Sequence, residues 1–147
     1  MVVYIIMAVI ILLIVYIFVL YNSFVSLNNK VKEAFATMDV YLKKRWDLIP
    51  NLVETVKGYA NHEQETFSEV TKLRNSNYES MSNEEKIITN EKMNTKIDRI
   101  MALKEAYPEL KANENFKDLS EQLKKIEDDI ANSRKYYNAV VRVYNNK

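Results

Sequence analysis

Phe116-Lys-Asp-Leu-Ser-Glu-Gln-Leu-Lys-Lys-Ile-Glu-Asp-Asp-Ile-Ala-Asn-Ser-Arg-Lys-Tyr-Tyr-Asn-Ala-Val-Val-Arg-Val-Tyr144 is the stretch whose reading decides the fold. Phe116, Leu119, Leu123, Ile126, Ile130, Tyr137, Val140 and Tyr144 follow one another at alternating intervals of three and four, and Ser133 fills the one remaining slot. On a helix of 3.6 residues per turn this spacing draws a single apolar stripe, and sustained heptads pack as left-handed bundle or coiled-coil seams. The stripe does not fade toward the C-terminus. Asn113 is a good N-cap residue, so a helix is expected over about 113–146.

A stripe of the same kind lies upstream. Leu27, Val31, Ala34, Phe35, Met38 and Leu42 recur at spacings of three and four, and the pattern resumes at Leu52, Val53, Val56 and Tyr59. Pro50 interrupts it; proline lacks the backbone donor and collides with the preceding turn, so it either kinks the helix or starts a new one capped by Asp47. Immediate resumption of the stripe favours a kink. Gly58 weakens the helix, and Asn61 with Gln64 resembles a capping box for the next one, whose inner face is Phe67, Val70 and Leu73. Residues 75–80 are polar and read as a loop. Ser82 with Glu85 is a clear capping box, opening a helix that carries Ile87, Met93, Ile97, Ile100, Leu103 and Tyr107 and that Pro108 is expected to stop.

One glycine and two prolines in 147 residues leave little punctuation for sheets or loop-rich folds. The expected fold class is all-α: an N-terminal transmembrane helix followed by an antiparallel up-down bundle of three to four helices. Two long helices, about 27–60 and about 113–146, pair over roughly 50 Å and two shorter ones cover them. An extended coiled-coil stalk is the alternative; short connections and several separate apolar faces argue for the bundle.

Residues 1–20, Met-Val-Val-Tyr-Ile-Ile-Met-Ala-Val-Ile-Ile-Leu-Leu-Ile-Val-Tyr-Ile-Phe-Val-Leu, contain no charge, and the first charged side chain is Lys30. Twenty helical residues span about 30 Å, the thickness of a bilayer's hydrocarbon core. The Val, Ile, Leu and Phe side chains favour insertion by about 5–9 kcal/mol before end effects. Tyr4 and Tyr21 sit near the two ends, where amphipathic rings prefer the interface. A cleaved signal peptide would have a basic start, a shorter run and a small-residue cleavage site, none of which is present. Residues 1–21 are therefore expected to be a retained transmembrane anchor that meets the lipid bilayer, and 22–147 the helical domain. Lys30 and Lys32 follow the span and no basic residue precedes it, which places the N-terminus outside and the domain in the cytoplasm, at the cell membrane. The anchor and the first bundle helix have no Gly or Pro between them until Pro50, so they are expected to form one rod, softened by the weak helix formers of 22–29.

The chemistry of the chain is sparse. Its formal net charge of +1 supplies no global basic surface for nucleic acid, and the absence of cysteine removes disulfides and thiolate catalysis. His62 is the one histidine; with Glu63 and Glu65 it falls short of the usual two-histidine zinc pattern. No phosphate-cradling glycine loop or nucleophile motif is present, and adjacent carboxylates such as Glu84 with Glu85 or Asp128 with Asp129 point apart on a helix. Neither catalytic residues, a metal nor a cofactor is expected. The basic run Lys43, Lys44 and Arg45 reads more plainly as a solvated or ion-paired face than as a phosphate site.

One segment mixes charge, a kink and apolar residues: Arg45-Trp-Asp-Leu-Ile-Pro-Asn-Leu-Val-Glu-Thr-Val-Lys-Gly-Tyr59. Asp47, Asn51 and Glu54 recur along one side, where the Asn51 amide can donate to a carbonyl freed by Pro50 and the group can bind an arginine from a partner helix, with Arg134 as the expected partner. The plainer role is a polar network that fixes register; the sharper one is a recognition patch.

The same segment resembles the LemA family. The family's basic pair followed by Asp-Leu-Ile-Pro-Asn-Leu-Val, then Val-Lys-Gly-Tyr and His-Glu, is matched by Lys44 to Val53, Val56 to Tyr59, and His62 with Glu63. Tyr21 with Asn22, Tyr107 to Phe116, and Arg134 to Asn138 resemble further family motifs, so the likeness runs along nearly the whole chain. Trp46 stands where the family usually has a smaller residue, and many members continue past the position of Lys147. The resemblance implies a single N-terminal anchor and an antiparallel helical bundle, and none of its motifs implies catalysis. It marks Arg45, Asp47, Pro50, Asn51, Glu54, Tyr59, His62, Arg134 and Asn138 as candidate interaction or structural residues. It also implies a place in bacterial envelopes, in some members beside membrane zinc proteases of the HtpX type, while one relative takes part in building magnetosome membranes. The expected function is that of a non-enzymatic, membrane-anchored scaffold or adaptor that binds itself or another envelope protein. The alternative is a lipid-binding or membrane-shaping protein using Lys30, Lys32 and the basic run at 43–45.

Overall fold

A computed structural model of the chain describes residues 1–60, 63–74 and 77–147. Its regular elements are helical: α1 (Val2–Lys57), α2 (Gln64–Arg74), α3 (Asn83–Ala102), α4 (Pro108–Ala112) and α5 (Glu114–Asn145), with short 3-10 turns at Tyr78–Ser80 and Leu103–Glu105. No strand occurs among the described residues.

α1 is one uninterrupted helix of 56 residues, about 84 Å long at 1.5 Å per residue. It passes through 22–29 and through Pro50 without a break, so Asp47 does not cap a new helix. Its first part, residues 1–19, is exposed throughout, and by length and composition this helix is able to cross a membrane. From Ala34 onward it becomes the spine of the packed region, burying Ala34, Phe35, Met38, Leu42, Trp46, Ile49, Leu52, Val53 and Val56.

α5 supplies the opposing face with Phe116, Leu119, Leu123, Ile126 and Ile130, and Ser133 is buried in its slot. The small Ser133 hydroxyl donates to the Ile130 carbonyl at 3.0 Å, so its burial leaves no orphan donor. Residue numbers rise along α1 while they fall along α5. Tyr59 meets Asn113, Arg45 meets Glu127, Phe35 meets Tyr137 edge-on with ring centroids 5.8 Å apart, and Phe24 meets Tyr144 edge-on at 6.4 Å. α3 packs on α1 through Met93, Ile97 and Ile100, and α2 covers α3 with Phe67 and Val70.

The caps form as their chemistry dictates. Ser82 Oγ accepts from the Glu85 backbone N–H at 3.3 Å while Glu85 Oε2 accepts from the Ser82 N–H at 2.7 Å, a complete capping box. Asn113 Oδ1 accepts from the Phe116 N–H at 2.9 Å, and its amide donates to the Tyr59 hydroxyl at 2.8 Å, so one side chain caps α5 and ties it to the end of α1. The expected capping box at Asn61 and Gln64 involves a residue outside the described ones.

Two expectations are corrected. Pro108 does not stop α3, which ends at Ala102; it opens α4 at the first turn, where its missing N–H has no intrahelical partner to lose. The polar segment before α3 is not all solvent-facing loop either. Tyr78 is buried against Trp46, with ring centroids 5.4 Å apart.

Candidate functional site

The polar centre of the packed region is Arg45. It sits in the register Met38, Leu42, Arg45, Ile49, Leu52, Val56, a heptad slot otherwise filled by apolar residues, and it is only 4% exposed. One guanidinium nitrogen, Nη1, gathers the partners. It donates to Asn94 Oδ1 and, at 3.4 Å, to Asn90 Oδ1, both on α3, and it lies 2.7 Å from Glu127 Oε2 on α5. The Glu127 contact is an ion pair outside hydrogen-bond alignment, and Arg45 Nε is buried with no hydrogen-bond partner among the described residues. Burial pulls the Arg45 pKa down, against the upward pull of Glu127 and Asp98. Arginine holds its charge far above neutral pH, so a permanent cation links α1, α3 and α5.

Beside it lies an open groove of about 410 Å³ between α3 and α5. Ile97, Met101 and Leu123 give it apolar walls, and Asp98, Lys124 and Asp128 give it charged ones. Both helices pack on α1. They reach each other through side-chain contacts such as Ser120 Oγ with Met101 Sδ at 3.7 Å and Arg134 with Glu91 at 2.9 Å.

A second polar cluster surrounds Tyr78. Its hydroxyl donates to Asp39 Oδ1 at 2.6 Å, and Lys86 Nζ binds Asp39 Oδ2 at 2.8 Å. Lys86 and Lys43 flank the ring at 4.7 and 5.3 Å from its centroid. Burial first, then the bond to Asp39, pushes the Tyr78 pKa up, so the phenol stays protonated.

The structure separates several residues that the sequence brought together. Arg134 pairs with Glu91 on α3 and not with the Asp47, Asn51 and Glu54 side of α1. Asp47 is exposed and accepts from Lys43 at 3.2 Å, while Asn51 and Glu54 border a shallow depression with Asn115, Asp118 and Gln122 of α5. The arginine that the network holds is Arg45, from within the segment itself. Pro50 is half-buried inside α1, Tyr59 is half-buried at its end, and Asn138 is exposed on α5. His62 lies outside the described residues. The basic run splits three ways: Lys43 pairs with Asp47 and Glu79, Lys44 lies over the Tyr41 ring at 5.6 Å, and Arg45 is buried.

Asn90, Asn94, Glu127 and Tyr78 were missed by pattern reading. Asn90 had a usable signal, being the polar member of the stripe Asn90, Met93, Ile97, Ile100. Among the described residues, no group of three or more His, Cys, Asp or Glu side chains is arranged to hold a metal ion.

These features define an all-helical protein in which one apolar N-terminal helix, long enough to cross a membrane, continues into a packed region keyed by a buried arginine. The sequence profile of the LemA family matches residues 34–147, and the chain belongs to that family. It is also similar to Protein LemA of Metamycoplasma hominis, with 28% identity over 131 residues covering 86% of this chain. The chain spans 58% of the length of that relative.

Proposed function

We propose that the protein is a non-enzymatic scaffold or adaptor, anchored in the cell membrane by residues 1–21 with its C-terminal domain, residues 22–147, in the cytoplasm. The domain is an antiparallel helical bundle in this reading, supported by the opposed numbering of the α1 and α5 contacts. The observation that carries the proposal is the continuity of α1. The apolar span and the spine of the bundle are one helix, so a partner held by the bundle is held at a fixed height and orientation over the bilayer.

The groove between α3 and α5 is the docking surface for that partner, which is a second copy or another envelope protein. By family resemblance, a membrane protease of the HtpX type is a partner to test. The test is photocrosslinking in native membranes from probes placed at Asp98 and Lys124, followed by mass spectrometry. A reproducible crosslinked species supports the adaptor role, and exclusively monomeric material counts against it. The lipid-binding reading is favoured by a different observation, the distribution of charge at the membrane-proximal end.

A further inference from the structure

The fold brings together two segments that are far apart in sequence and share one sign of charge. Tyr144 packs on Phe24, three residues beyond the end of the proposed span, so the last turns of α5 lie beside the first turns of α1 past the apolar run. Residues 22–33 carry Lys30, Lys32 and Glu33; residues 138–147, which lie beside them, carry Arg142 and Lys147 and no acid, while Arg134 lies further along, near the level of Phe35, and pairs with Glu91. This end of the molecule therefore holds four basic side chains and one acidic one, a balance of +3. The remaining 17 basic and 19 acidic residues balance to −2. A near-neutral chain is thus folded into a cationic end and an anionic body.

The cationic end is uncommitted. Lys30, Lys32, Arg142 and Lys147 are all exposed, and none forms an ion pair among the described residues. Between Lys30 and the last turns of α5 runs a groove of about 330 Å³, walled by Leu27, Val140 and the exposed Tyr136 and Val143, with Glu33 as its one acidic lining residue. The height of these groups fits a bilayer surface. Lys30 stands about 14 Å along the helix from Tyr21. The pairing of α5 with α1 puts Arg142 near that level and Lys147 lower, and such side chains reach several ångströms toward a headgroup layer about 5–8 Å thick.

We propose that this end is a binding collar for anionic phospholipid: the ammonium and guanidinium groups of Lys30, Lys32, Arg142 and Lys147 hold the headgroup phosphate. The collar rests on residues 1–21 spanning the membrane. It excludes the 43–45 run, which lies roughly 33 Å along α1 from Tyr21 and is engaged in internal contacts.

The experiment uses the full chain reconstituted in phosphatidylcholine vesicles carrying either spin-labelled phosphatidylglycerol or spin-labelled phosphatidylcholine. Electron paramagnetic resonance reads the relative association of each lipid with the protein. Alkaline extraction of the same vesicles reads insertion independently. Each basic residue near an anionic surface contributes about fivefold in affinity, so the expected preference for phosphatidylglycerol is at least about fivefold and shrinks at high salt. The Lys30→Gln/Lys32→Gln/Arg142→Gln/Lys147→Gln variant alters exposed positions only and is expected to show no preference while remaining inserted. Insertion with equal association of both lipids, in the wild type, overturns the collar and leaves the anchor standing. Failure to insert overturns the anchor and the collar with it. A preference that survives in the variant also overturns the collar. Equal association together with a protein crosslink that the variant loses would assign the charges to an acidic protein surface instead.

Discussion

Removing the Arg45 side chain leaves Glu127, Asn90 and Asn94 without the cation they share. Breaking a buried ion pair from one side costs about 3–5 kcal/mol, and Glu127, 47% exposed, regains water, so Arg45→Ala is expected near the lower figure, about 3 kcal/mol. Denaturant titration of the full chain in micelles, followed by helical circular dichroism, measures it. Tyr78 makes a pH-dependent contribution. Its folded pKa is raised above 10.0, so its contribution is fully present below pH 10 and is lost as the pH rises toward the folded value. Tyr78→Phe is expected to lower stability by about 1 kcal/mol at neutral pH and to flatten the loss above pH 10 relative to wild type. Both positions show what pattern reading sees and misses. Arg45 stands in a readable apolar register, but its partners come from two other helices. Tyr78 lies in a polar segment, and its burial depends on Trp46, Asp39 and Lys86, which only tertiary packing assembles.

At the scale of elements, local chemistry was the most legible. The Ser82 and Glu85 box and the Asn113 cap form from contacts three residues apart, and the α5 stripe records its own buried face. Pro108 was harder to read, because a proline near a helix boundary fits both an end and a first turn; the turn at Leu103–Glu105 had already ended α3. Ser82→Ala is expected to cost about 1 kcal/mol. The Ser82 backbone N–H and hydroxyl hold the Glu85 carboxyl below its ordinary 4.5. That contribution is therefore present above pH 4.5 and is lost as the pH falls through the folded value. Thermal melts between pH 3 and 7 should show a smaller acid-induced loss in Ser82→Ala than in wild type.

At the scale of the whole molecule, the arrangement that matters is invisible in a linear reading. Lys30 and Arg142 are 112 positions apart, and only the pairing of α5 with α1 places them at one end. The same pairing sets the packed region beside the proposed membrane surface, with α1 as the shared strut. The central claim is that this helix crosses the membrane and leaves the bundle in the cytoplasm. The chain has no cysteine, so a single exposed substitution, Lys92→Cys, reports its compartment cleanly. The measurement is labelling by a membrane-impermeant maleimide in intact cells and again after lysis, on protein sedimenting with membranes. The account predicts labelling only after lysis. Labelling in intact cells, or protein that does not sediment with membranes, would contradict it.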